Sequence, residues 1–91
     1  MLYSDYAHYC FATDDIEHLT DDDIEKLHCG DDVIKITKEG GKVLKHLYVV
    51  THRQETGICI SYNTTGYSET ISYDKVDGHW VFNSKDVWQA E

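Results

Sequence analysis

The apolar residues of this chain change their period at Gly30, and that change limits what the chain can fold into. Before Gly30, Ile16, Leu19, Ile24 and Leu27 recur at roughly helical spacing and form one stripe. Thr13 reads as an N-cap, and Asp14-x-x-Glu17 has capping-box spacing. Thr20 followed by Asp21, Asp22 and Asp23 reads as a second helix start, because acids favour the positive end of the helix dipole. Gly30 reads as a C′ stop. The spacing predicts a short helix over about 14–18 and another over about 21–29, or one kinked helix across both. Residues 3–12 suit a helix or a strand equally well.

After Gly30 the period falls to two. Val33–Thr37 alternates, and Gly40-Gly41 is a hairpin signal. Val43–Arg53 is long and β-rich, with apolar residues on both faces. Ile58–Tyr62, Tyr67–Lys75 and His79–Ser84 read as three more strands. The links between them are turns, at Gln54–Gly57, Asn63–Gly66 and Asp77-Gly78. Short links favour antiparallel pairing, since parallel pairs need long crossovers. With no Pro, no repeat and no linker, 91 residues make one domain over 1–91. The expected fold is α+β: an acidic, mainly helical N-terminal third (1–32), then an antiparallel β-meander of about five strands (33–91).

Charge follows the same boundary. Residues 1–32 hold ten acids and one base, Lys26, which gives 1 − 10 = −9. Residues 33–91 hold seven acids and seven bases, so the whole net charge of −9 sits in the first third. Helix-start preference accounts for some of these acids. The others repel one another at neighbouring helical positions, costing a few tenths of a kcal/mol per close pair. A surface made for a partner explains that cost. The candidate partner-binding residues are Asp14, Asp15, Glu17, Asp21, Asp22, Asp23, Glu25, Asp31 and Asp32.

Carboxylates on successive helical turns can occupy positions comparable to DNA phosphates, which DNA-binding proteins read through Lys and Arg. By size and by the acidic run Asp14 to Asp32, the chain resembles the small DNA-mimic and anti-restriction proteins of bacteriophages, of the T4 Arn type. That resemblance implies an inhibitor that occupies the DNA-binding surface of a host nucleic-acid-binding or restriction protein, commonly as a dimer.

Other chemistries are less well supplied. Asp21-x-Asp23-x-Glu25 with Asp32 imitates calcium-loop spacing, but Lys26 stands where the loop needs Gly. His8-x-Cys10 and His28-Cys29 lack zinc spacing, and His46 and His52 lie too far apart along one strand to share an ion unaided. No metal and no cofactor are expected. Cys10 and Cys29 sit among acids, which disfavours a thiolate, and no phosphate-binding glycine pattern is present. An enzyme using a His and Cys59 is the remote alternative. The basic residues are scattered, so direct nucleic-acid binding is not expected. No segment approaches the ~20 apolar residues of a membrane span. The N-terminus has no export pattern, and three cysteines cannot all pair with one another, so a cytoplasmic setting is expected.

The aromatic set Tyr62, Tyr67, Tyr73, Trp80, Phe82 and Trp88 reads mainly as sheet core. Part of it gives a second function class, a protein-interaction module that meets its partner through the sheet. Apolar residues on both faces of Val43–Arg53 also suggest a homodimer.

Overall fold

A computed structural model of the chain describes residues 9–89. His8, most of the N-terminal stretch read as lacking an export pattern, and the part of the ambiguous stretch 3–12 that precedes residue 9 fall outside them. The described residues form one six-stranded mixed sheet in the order β1-β2-β3-β4-β5-β6. The strands are β1 (Cys10–Thr13), β2 (Asp32–Glu39), β3 (Lys42–Gln54), β4 (Gly57–Thr64), β5 (Tyr67–Val76) and β6 (His79–Trp88). β1 pairs with β2 in parallel, Cys10 opposite Asp32, and every later pair is antiparallel.

This corrects the α+β expectation of an acidic helical third followed by a five-stranded antiparallel meander. The first third contributes a strand, one 3₁₀ turn at Ile16–His18 and a single five-residue helix, α1 (Asp21–Glu25). Two causes are visible. Leu19 and Thr20 are extended, at ψ 149° and 163°, so no helix runs through them. The Tyr73 hydroxyl holds that break open: it donates to the Ile16 carbonyl and accepts the Leu19 N–H at 3.2 Å. Short helices also gain little, because nucleation is unfavourable and crowded acids repel. The helical material is instead the crossover that a parallel β1–β2 pair requires. The expected stop at Gly30 is a turn glycine at φ 97°, after α1 has already ended.

The crossover lies on one face of the sheet and makes the core. Ile16, Leu19, Ile24 and Leu27 pack against Val33, Tyr48, Val50, Ile58, Ile60, Ile71, Tyr73 and Trp80. Register explains the face. Val33 lies opposite Tyr48, Val50 opposite Ile60, Ile60 opposite Ile71, and Ile58 opposite Tyr73. Each fully buried aliphatic or aromatic side chain contributes about 1.5–3 kcal/mol. Bulges between Val50 and His52, and between Ser72 and Tyr73, bend the sheet around its cover.

The other face carries no helix among the described residues. Its centre is a band of hydroxyls, with Ser61 3.2 Å from Thr70 and Ser72 2.8 Å from Ser84. Towards β2 and β3 it turns apolar, where Ile34 faces Leu47 and Lys38 faces Val43 across the strands. No helix of the described residues is long and apolar enough to cross a membrane.

Candidate functional site

The nine carboxylates singled out above divide into an inward and an outward set. Thr20 caps α1 by accepting the Asp23 N–H at 3.2 Å, and the helical step of about 3.6 residues per turn puts residues four apart on one side. Asp21 and Glu25, one turn apart, face β6. Asp21 Oδ1 accepts the Trp80 backbone N–H at 2.9 Å, and its Oδ2 lies 2.9 Å from His79 Nδ1. Glu25 Oε2 accepts Lys75 Nζ at 2.7 Å and the Trp80 indole N–H at 2.8 Å, while Arg53 stands 3.6 Å from Oε1. The Arg53 guanidinium also lies over the Trp80 ring, 4.9 Å from its centroid.

These contacts set the local electrostatics. The His79 hydrogen bond, followed by the Trp80 N–H, holds the Asp21 carboxyl below its usual range. Lys75 first and the Trp80 indole second do the same for Glu25. Glu17 pairs with Lys85 at 2.9 Å, which raises the lysine above its ordinary value. Asp31 is only 2% exposed: its carboxylate accepts the N–H groups of Tyr9 at 3.1 Å and His28 at 2.8 Å. Asp15 lies 3.0 Å from His18 on the surface.

Asp14 and Asp22 are exposed and Asp23 is half-exposed, with no ion pair among the described residues. Asp14 and Asp23 line one groove together with Phe11, Ala12, Thr13, Ile36 and Lys38. Asp32 is half-buried at the start of β2, apart from that groove.

A second concave region lies on the covered side, beyond the reach of the crossover. Its pocket of about 370 Å³ is lined by Tyr48, Tyr62, Tyr67, His46 and Glu69, among others. Tyr62 sits at the centre, 5.2 Å from the Tyr48 ring, 5.9 Å from Tyr67 and 5.5 Å from His46. Glu69 is 3% exposed and accepts the Tyr67 hydroxyl at 2.9 Å. Its other oxygen has no hydrogen-bond partner and stands 3.5 Å from Lys85, so Lys85 bridges Glu69 and Glu17. The bond to Glu69 raises Tyr67 above its ordinary phenol value. Burial raises Tyr48. These side chains can pack and accept hydrogen bonds, but the carboxylate is already neutralised from within.

Cys10, Cys29 and Cys59 form no disulfide. Among the described residues no three His, Cys, Asp or Glu side chains converge as metal ligands would. Sequence reasoning missed the roles of Arg53, Lys75, Trp80, Lys85 and Glu69. A signal was present: in alternating strands, Glu69, Lys75 and Lys85 fall on the same face as Ile71 and Tyr73, where a charge needs a partner. Comparison of the chain with protein-family models, with curated proteins and with solved structures gives no match.

Proposed function

We propose that the chain is a non-catalytic, acidic binding protein of the cytoplasm that offers its outward carboxylates to the basic, DNA-binding surface of a partner protein, as a phage-type inhibitor would. One observation carries this reading. Arg53, Lys75 and Lys85 are already taken by Glu25 and Glu17, and Asp14, Asp22 and Asp23 make no ion pair among the described residues, with Lys38 the one base lining the groove that Asp14 and Asp23 share. The contacting set is therefore narrower than the acidic run. Asp14, Asp22 and Asp23 lead it, Asp15 flanks it, Asp32 stands apart at the start of β2, and Glu17, Asp21, Glu25 and Asp31 hold the surface in place.

The test is capture from a bacterial lysate at about 0.1 M salt, followed by elution with duplex DNA and, separately, with about 1 M salt. A mimic releases its partner to both, and the triple variant Asp14→Asn/Asp22→Asn/Asp23→Asn captures nothing. Equal capture by the triple variant rules the acidic reading out.

A second reading has its own observation. Val43 is 55% exposed, and Leu47 and Trp88 are similarly bare on the uncovered face. An interaction module using that face binds as well at about 1 M salt as at about 0.1 M, because apolar contact is not screened.

A further inference from the structure

The hairpin of β2 and β3 outruns its neighbours on both sides. β1 ends opposite Lys35, and β4 pairs with β3 only from Val49 onward. His46 and Tyr48 still pack on Tyr62, and beyond them residues 36–45 are a two-stranded arm, closed by Gly40 and Gly41 at φ 54° and 81°. Isolated two-stranded ribbons are marginal in water, and this one leaves Val43 and Leu44 exposed.

The arm is also where the free positive charge of the molecule collects. Lys38, Lys42 and Lys45 on the arm, Lys35 at its root and Lys26 beside α1 make no ion pair among the described residues, whereas Arg53, Lys75 and Lys85 do. Against Glu39, residues 36–45 sum to 3 − 1 = +2, which leaves −9 − 2 = −11 on the rest of the chain. At the tip the order is Lys42-Val43-Leu44-Lys45, an apolar pair between two bases.

The complement lies at the root of the same arm. The groove of about 490 Å³ beside the end of β1 is lined by Phe11, Ala12, Thr13 and Ile36, by the carboxylates of Asp14 and Asp23, and by Lys38, so it keeps a net negative charge of one. A paired ribbon does not fold back through itself, so the tip of an arm cannot enter the groove at its own root. The groove of another molecule is open to it. Because groove and arm adjoin, two molecules related by a two-fold axis can each give an arm and receive one.

We infer that this chain forms a two-fold dimer by exchanging arms, Lys42–Lys45 of each copy lying in the Phe11/Asp14/Asp23/Ile36 groove of the other. The inference uses the outward carboxylates of the proposed function as charges, but it needs no outside partner. Arm exchange covers Asp14 and Asp23, so a basic partner and a second copy compete for the same groove.

Sedimentation velocity of the full chain, from about 1 to about 200 μM at about 0.1 M salt, reads the association directly. The expected result is a dimer that shifts towards monomer at about 1 M salt. Lys42→Glu/Lys45→Glu and Asp14→Lys/Asp23→Lys are each expected to be folded monomers by circular dichroism. Mixed one to one, they are expected to restore the dimer, since each reversed arm then meets a reversed groove. Should either reversal fail to fold, Lys42→Ala/Lys45→Ala is expected to weaken association more than tenfold. A monomeric wild type, a dimer in either reversed variant alone, or a mixture of folded variants that stays monomeric overturns the inference. Lys42→Glu/Lys45→Glu keeps its acidic face and is expected to capture the basic partner still. Lost dimer with retained capture therefore separates this inference from the proposed function.

Discussion

Glu25 and Trp80, 55 residues apart, meet through a 2.8 Å hydrogen bond from the indole N–H to the carboxylate, and Lys75 binds the same oxygen. With Asp21 on the Trp80 backbone, this contact fastens α1 to β6.

The fastening makes stability depend on pH. The Asp21 and Glu25 carboxyls titrate lower in the folded chain than their ordinary values of 3.8 and 4.5. The unfolded chain therefore takes up the protons first. The stabilisation is whole above those ordinary values and is lost as pH falls through the lower, folded ones. Melting temperature is expected to drop from about pH 6 to about pH 3, and Glu25→Gln is expected to flatten part of that drop. Parallel curves for wild type and variant would count against this account.

Asp31 has a different cost. It is buried and satisfies two backbone N–H groups, those of Tyr9 and His28. Asp31→Ala leaves both without an acceptor and is expected to destabilise by about 2–3 kcal/mol in urea titration. Asp31→Asn keeps one acceptor oxygen and is expected to lose less. Asp22→Asn, on the exposed side of α1, is the control and is expected to change stability by less than about 0.5 kcal/mol.

Tyr73 closes the break between the 3₁₀ turn and α1. Its hydroxyl serves both Ile16 and Leu19, and burial pushes its pKa up to about 12. Tyr73→Phe keeps the ring and removes both bonds, with an expected loss of about 1–3 kcal/mol. An unchanged urea midpoint would mean the ring alone sets the crossover.

The β5–β6 turn tests the backbone rather than a contact. Asp77 and Gly78 both have positive φ, 52° and 82°, as a two-residue hairpin turn of this hand requires. Nothing lies near Gly78 to clash with a Cβ, so Gly78→Ala isolates the conformational cost, expected at about 1 kcal/mol. A larger loss in thermal melts would point to a contact beyond the turn itself.

Local chemistry was legible in the sequence where it was sufficient. Gly40-Gly41 and Asp77-Gly78 demand positive φ, and the turns stand there. The alternation of Tyr67, Glu69, Ile71 and Tyr73 fixes which face of β5 is buried. The Thr20 cap is present at the start of α1. The length of the helices was not legible, because the Ile16, Leu19, Ile24, Leu27 stripe fits two single turns on a sheet as well as it fits one helix. Which strand it would lie on depends on Tyr73 and Trp80, more than fifty residues away. β1 was ambiguous for the same reason: its one strand neighbour among the described residues is β2, reached by a crossover. The acids were misleading as a group. A carboxylate at a helix start has the same local sequence whether it faces water, as Asp22 does, or the Trp80 backbone, as Asp21 does.

The cover of the core is made early and used late. A ribosome adds about 5–20 residues per second, so the 55 residues between Glu25 and Trp80 take roughly 3–11 s to follow. Throughout that interval Ile16, Leu19, Ile24 and Leu27 have no completed sheet to lie on. The nascent chain is then an acidic segment with an exposed apolar stripe waiting for its landing surface, and any chaperone that binds nascent chains has its longest opportunity there. Slow codons before β6 would lengthen the wait, and aggregation during synthesis would rise with them.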